Sequence, residues 1–388
     1  MKLKEKIIFH KAITTSREFF KENTGIKCVH YGDIYKNYSG KKISSSNIIN
    51  SFINPVAQEK ILYCDSIIVP DVTETVNDWG HFTYIEYDGT PYINGTHAIA
   101  LTCETKNELQ YIFRYLSSSL NRKRLQAYLN GSTVFQISVK DFGLFSLENY
   151  HKNPNDQQHI VDILGSIDNK IELLAKEDEK IEKYSNDLFD VFSENAIHKI
   201  KLKDVVSFAN TGADAIQKAP IVDYDTGVRC ARVGDFSNDR PIYEWGFCNI
   251  VPELFSQYQL KQNDILITRT ATLGLAKLID KDEQAVYNNG LIRIKINNEI
   301  ACPKYIYRVL KSKDFIDYIA GIEGASSTRP NMKINYLLEY KFNILSMAEQ
   351  LKFNDSYSVL RGRQLHNQSL IFKLNELKQL YLKKFFGD

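Results

Sequence analysis

The residues best equipped for chemistry stand in loops. In the second half of the chain, the apolar run Asp264-Ile265-Leu266-Ile267-Thr268 leads into Arg269-Thr270-Ala271-Thr272-Leu273-Gly274. An arginine at such a strand exit presents a donor fork that fits guanine O6 and N7 together, and a neighbouring threonine can meet a base edge or a thymine methyl group. The matching loop of the first half offers Thr73, Thr75, Asn77, Asp78 and Trp79, where the asparagine carboxamide suits adenine. Gly131-Ser132-Thr133 and Gly324-Ala325-Ser326-Ser327-Thr328-Arg329 form a second pair of loops rich in small hydroxyls. Arg122-Lys123-Arg124 stands at a helix end, where it could contact phosphate or complement the helix dipole. For each of these residues the competing reading is an ordinary polar loop.

Catalytic chemistry is harder to place. A methyltransferase that flips out an amino-bearing base would need an Asn/Asp-Pro-Pro-aromatic motif, and Asn54-Pro55-Val56 and Asn153-Pro154-Asn155 do not supply one. Gly40-Lys41 has Tyr35, not glycine, at the leading position of a phosphate loop. Asp71 with Glu104-Thr105-Lys106 could form a Mg²⁺-dependent nuclease triplet, in which the carboxylates bind the metal and the lysine assists the attacking water. That triplet has no counterpart in the second half. The six cysteines (28, 64, 103, 230, 248, 302) form no CxxC, and the eight histidines form no i, i+4 metal pair. No cofactor is expected.

The elements that carry these loops are written twice. Lys2-Leu3-Lys4-Glu5 returns as Lys201-Leu202-Lys203-Asp204. Thr24-Gly25-Ile26-Lys27-Cys28, ending Gly32-Asp33, returns as Thr226-Gly227-Val228-Arg229-Cys230, ending Gly234-Asp235. Asp65 echoes in Asp264, Asn94-Gly95 in Asn289-Gly290, and Tyr111-Ile112-Phe113-Arg114 in Tyr305-Ile306-Tyr307-Arg308. A period near half the chain is a duplication of whole domains, far above the ~20–50 residues of a solenoid repeat. Short β-rich runs bounded by turn signals, followed by one helix, make each half a mixed α/β head. The loop after Asp65 is longer than that after Asp264, so the halves differ where a binding surface is retuned on a fixed scaffold.

Each head is followed by a long heptad pattern. The first steps through Ile160, Leu164, Ile167, Ile171, Leu174, Asp178, Ile181, Ser185, Leu188 and Phe192. The second steps through Phe353, Tyr357, Leu360, Gln364, Asn367, Ile371, Leu374, Lys378, Tyr381 and Phe385. Such a/d stripes need a partner. The first segment is net acidic and the second net basic, and the polar seam residues lie late in the first stripe and early in the second. An antiparallel intramolecular coiled coil would bring them together and relate the heads by a pseudo-two-fold axis. Packing of each helix on its own head, or dimerisation through the helices, is the alternative. The expected boundaries are 1–150 (head), 151–195 (helix), 196–344 (head) and 345–388 (helix).

Composition adds little. The net charge is +2 and the pI about 8.0, too mild to announce a nucleic-acid binder by itself. With no apolar leader after Met1 and no 18-residue apolar run, the chain is expected to be soluble, cytoplasmic and without membrane contact.

Gln157-Gln158-His159-Ile160-Val161-Asp162-Ile163-Leu164, through Ile167-Asp168-Asn169-Lys170-Ile171 to Leu188-Phe189, resembles the central conserved helix of the specificity subunits of type I restriction-modification enzymes. Glu349-Gln350 through Leu382-Lys383-Lys384-Phe385 resembles their distal helix, with Phe353 where the first helix has Ile160. The resemblance covers the whole chain as target-recognition domain, helix, target-recognition domain, helix. It implies a non-catalytic subunit that reads a bipartite sequence in double-stranded DNA and holds two methyltransferase subunits, with or without restriction subunits. It makes the loop residues above candidate DNA contacts and predicts two unlike half-sites. A heptad inserted in the helices would lengthen the spacer by about 10 Å, roughly three base pairs. A self-contained nuclease, or a coiled-coil scaffold with protein-binding heads, is the alternative.

Overall fold

The computed structural model describes residues 1–22, 25–212, 221–324 and 331–387. They fall into two compact units, Met1–Glu172 with Ile371–Asp388, and Leu173–Leu370. Each unit therefore combines a head with part of both long helices, where the sequence boundaries had separated heads from helices.

In the first unit a five-stranded sheet has the order Ile8–His10, Ala98–Thr102, Ser66–Pro70, Thr83–Glu86, Lys42–Ser44. A second sheet runs Phe20–Glu22, Asn50–Phe52, Ile26–Val29, Tyr92–Asn94 and contains a parallel pair, with Cys28 opposite Ile93. The strands Ser66–Pro70 and Ala98–Thr102 are buried on both faces, which is why they read as unbroken apolar runs. The helix Lys106–Ser117 buries Leu109, Tyr111, Ile112, Phe113, Tyr115 and Leu116 against the larger sheet, behind a Thr105 N-cap whose hydroxyl accepts from Glu108 N–H.

The second unit repeats this plan except for the edge strand Lys42–Ser44, which has no counterpart in its larger sheet. Val206–Thr211, Leu291–Ile296, Ile265–Thr268 and Ala276–Leu278 form one sheet. Ile221–Val222, Phe247–Cys248, Arg229–Ala231 and Ala285–Tyr287 form the other, with Cys230 opposite Val286 in the parallel pair. Cys28 and Cys230 are matched core residues. The repeated Gly-Asp is a capping box: Asp33 Oδ2 accepts from His30 N–H at 3.0 Å, and Asp235 Oδ2 from Arg232 N–H at 2.9 Å. The Asn-Gly echo needs correcting. Gly95 N–H donates to Val29 O, while in the second head Asn288 N–H donates to Ala231 O. The counterpart of Gly95 is thus Asn288, and the counterpart of His97 is Gly290.

Both long segments are helices of 40 residues, Pro154–Ser193 and Met347–Phe386. Within the first unit, His151 meets Phe385 O, and Asp168 accepts from Lys378 at 2.7 Å. One number falls as the other rises, so the pairing is antiparallel. Within the second unit Asn367 donates to Asp178 at 2.8 Å, and Phe353 packs against Phe189 and Phe192, again antiparallel. Ile160, Leu164, Ile167, Leu174, Ile181, Phe353 and Tyr357 are buried; Ile171, Leu188, Phe192, Leu360, Ile371 and Leu374 are half-buried. At the end of the distal helix the stripe moves over by one residue. Leu382 and Phe386 are buried, whereas Tyr381 and Phe385 are half-buried. Phe386 sits among Tyr111 and Tyr115 of the head, and a straight helix drifts by about 20° per heptad from a strict seven-residue repeat.

Candidate nucleic-acid interface

In the first head the strand Ser66–Pro70 ends at Asp71, and the following Val72–Thr73 pairs antiparallel with Phe135–Gln136. This short ladder puts the loop after Thr73 beside the loop Gly131-Ser132-Thr133-Val134. Thr73 Oγ1 donates to Thr75 O at 2.9 Å, and Thr75 Oγ1 to Asp78 Oδ2 at 2.7 Å, which shapes the turn. Thr75, Asn77, Ser132 and Thr133 are exposed. Gly131 has φ +135, and a Cβ there would lie 2.1 Å from Val134 O, so only glycine fits this turn. The two loops nominated in this head therefore form one surface.

Trp79 is a correction. Its side chain is fully buried, its indole N–H donates to Pro70 O at 2.9 Å, and its ring packs edge-on against Phe82 and Phe142. It is the core plug under the loop, not a base contact. The basic run divides too. Lys123 is exposed. Arg124 is committed to Asn121, Ser146 O, Glu148 and the Phe145 ring. Arg122 lies against Gly80 with a buried Nε that has no hydrogen-bond partner.

The second head builds the same edge. Arg269 follows the strand Ile265–Thr268, Thr270 bridges to Asn331, and Met332 N–H donates to Arg269 O at 2.8 Å. Thr272 is exposed and its hydroxyl lies 3.3 Å from Ser237 Oγ. Ala271 takes a left-handed φ of 60, a conformation that costs a non-glycine residue free energy and concentrates at functional turns. Arg269 itself is half-buried, with Nε donating to Met332 O at 3.2 Å and Nη1 to Asn289 O at 3.0 Å. Its guanidinium ties two loops together. Ser327, Thr328 and Arg329 lie outside the described residues.

The nuclease triplet does not assemble. Pro70 pairs with Ala98, so Asp71 sits by the start of the strand Ala98–Thr102, whereas Glu104 and Lys106 follow its other end. Lys106 is bound to Glu86 and Asp65, and Asp71 to His97. Among the described residues no group of three or more His, Cys, Asp or Glu side chains could hold a metal.

Sequence reasoning found the repeated residues that join heads to helices but not their role. The glutamine three residues before Ile160 in the first long helix and before Phe353 in the second is such a joint. Gln157, 3% exposed, donates to His151 O at 2.7 Å. Gln350, 1% exposed, accepts from Cys302 N–H at 2.8 Å and donates to Leu345 O at 3.0 Å. The repeated arginine of Tyr-Ile-Phe/Tyr-Arg is another. Arg114 binds Asp168, and buried Arg308 binds Glu182 at 2.9 Å and Asn186 beside the Tyr357 ring. Burial alone would raise the Glu182 carboxyl; Lys311 and Arg308 outweigh it and hold it down to about 2.

The family model and one solved structure fit this architecture. The family model described as "Type I restriction modification DNA specificity domain" matches residues 4–183 and again 197–374. The chain is similar over its full length to the crystal structure of the type I restriction-modification S subunit from M. genitalium, at 16% identity and TM-score 0.61, covering 96% of that chain. Lower structural similarity, TM-score 0.43 at 13% identity, joins it to a chain from a study of complex assembly and conformational transition of the type I R-M system, covering 100% of this chain and 96% of that one. The HsdS subunit from Thermoanaerobacter tengcongensis matches at TM-score 0.33 and 13% identity, covering 91% of this chain and 92% of that one. No curated protein sequence matches. Two matches to the family model, one over each head and the helix that follows it, place the chain in the type I restriction-modification DNA specificity family. DNA recognition is the role that membership defines. No helix among the described residues is long and apolar enough to cross a membrane.

Proposed function

We propose that this chain is the non-catalytic subunit that tells a type I restriction-modification complex where to act, in the cytoplasm. Each head reads one half of a bipartite, asymmetric site in double-stranded DNA, and the chain holds two methyltransferase subunits, with or without restriction subunits. The observation that carries this reading is the repeated sheet edge. Both heads bring a second segment to the exit of an equivalent central strand, the loop 131–134 in one and Asn331 with Met332 in the other, with Thr75, Asn77, Ser132 and Thr133 exposed in the first and Thr272 in the second. The same scaffold with different edge residues suits two different half-sites, because base identity is read by side-chain chemistry on a fixed frame.

Variants of the two edges test this separately. Thr75→Ala with Asn77→Ala should relax the preferred sequence of one half-site, and Thr272→Ala that of the other, each with the chain still folded and at most a small fall in melting temperature from the lost hydroxyl bonds. An unchanged methylation motif in both would reject the edge as the reading surface.

A further inference from the structure

We infer that Asp71 and His97 form a reading pair of the first head for the N4 amino group of a cytosine in the major groove, in the slot that Arg269 fills in the second head. This rests on the DNA-reading role proposed above. The equivalence of the two slots comes from backbone bonds. Asp71 N–H donates to His97 O at 3.1 Å, and Arg269 N–H to Gly290 O at 2.9 Å. Ile137 N–H donates to Asp71 O at 2.9 Å, and Met332 N–H to Arg269 O at 2.8 Å. Position 71 thus corresponds to 269, 97 to 290 and 137 to 332.

The two heads fill this frame with opposite charge. In the second, glycine leaves position 290 without a side chain, and a Cβ there would lie 2.7 Å from the Val233 side chain and 3.0 Å from Thr270 Oγ1, so those side chains would have to shift. The arginine guanidinium instead bonds the carbonyls of Asn289 and Met332. In the first head, His97 adopts a left-handed φ of 58, a strained choice for a residue with a side chain. Its Nδ1 lies 2.9 Å from Asp71 Oδ1, and its ring packs edge-on against Tyr31. The carboxylate can only accept, so Nδ1–H donates and the imidazole is held in place. The pair reaches solvent, with the His97 side chain 44% exposed and Asp71 15%. It shares its edge with Thr75, Asn77 and the loop 131–134, through the ladder that joins Thr73 to Phe135.

Chemistry selects the base. Guanine and thymine show acceptors in the major groove, which a carboxylate repels, and adenine sets the N7 acceptor beside its amino group. Cytosine shows only the N4 donor. An acceptor-only carboxylate fits cytosine best, whereas a carboxamide at the same place would bond adenine N6 and N7 together.

The test is methylome sequencing with Asp71→Asn and, separately, His97→Gln, each expressed with the partner methyltransferase. Asp71→Asn is expected to move one position of one half-site from cytosine toward adenine, with roughly tenfold loss of discrimination. His97→Gln is expected to weaken the preference at that same position. An unchanged motif in both variants would overturn the assignment, as would changes spread over both half-sites. Should Asp71→Asn fail to accumulate, His97→Gln decides alone, since its partly exposed side chain can be exchanged without opening the core. A wild-type chain that directs no bipartite methylation would instead sink the DNA-reading role itself.

Discussion

Arg308 is 1% exposed, yet carries a full charge that Glu182, Asn186 and the Tyr357 face must balance. Removing one partner of such a pair strands the other, so Glu182→Gln should cost about 2–3 kcal/mol in the second unit. The depressed Glu182 carboxyl also sets a pH signature. Its folded value of about 2 lies below the ordinary carboxylate value of about 4.3. Its contribution is therefore complete above that ordinary value and is lost as pH falls toward the folded one. Acid melting curves should accordingly be shallower for Glu182→Gln than for wild type. Arg269→Ala should relax one half-site only, and should also lower thermal stability slightly, because the guanidinium bonds two carbonyls. The arginine, threonine and asparagine side chains were legible as hydrogen-bonding chemistry. Burial was not, since an aromatic residue in a polar loop such as Trp79 reads as a contact until the sheet beneath it is known. The counterpart of Arg269 was hidden as well, because the Asn-Gly echo points two residues away from the true equivalence.

The long helices were the most legible elements, because a stripe of apolar residues at heptad spacing survives without any tertiary context. Even the polar seam was informative. Asn367 does meet Asp178, where burial pushes the carboxyl up and the asparagine opposes the shift. Such buried polar pairs fix register at a cost in stability. What the stripe could not show is where head packing overrides it. Leu382 and Phe386 replace Tyr381 and Phe385 in the core because Tyr111 and Tyr115 wait there. Burial also grades the expected damage. Leu174 is 1% exposed, whereas Leu374 is half-buried. Leu174→Asp should therefore lower the melting temperature of its unit markedly, and Leu374→Asp of the other unit by less. Equal melting temperatures for both variants and wild type would count against the helix pairing within each unit.

For the whole molecule, the duplication visible in the sequence matches strand order, parallel pair and capping box in both heads. The mild net charge of +2 is compatible with this role if sequence is read at loop edges and other subunits share the grip on DNA. The alternatives weaken at this scale, since the nuclease triplet is split across the sheet. The most direct measurement is methylome sequencing of a methylation-free host expressing this chain with its partner methyltransferase, against each alone. The account predicts a split, asymmetric methylated motif that appears only when both are present. Methylation that arises equally without this chain, or follows the same motif without it, would contradict the specificity role.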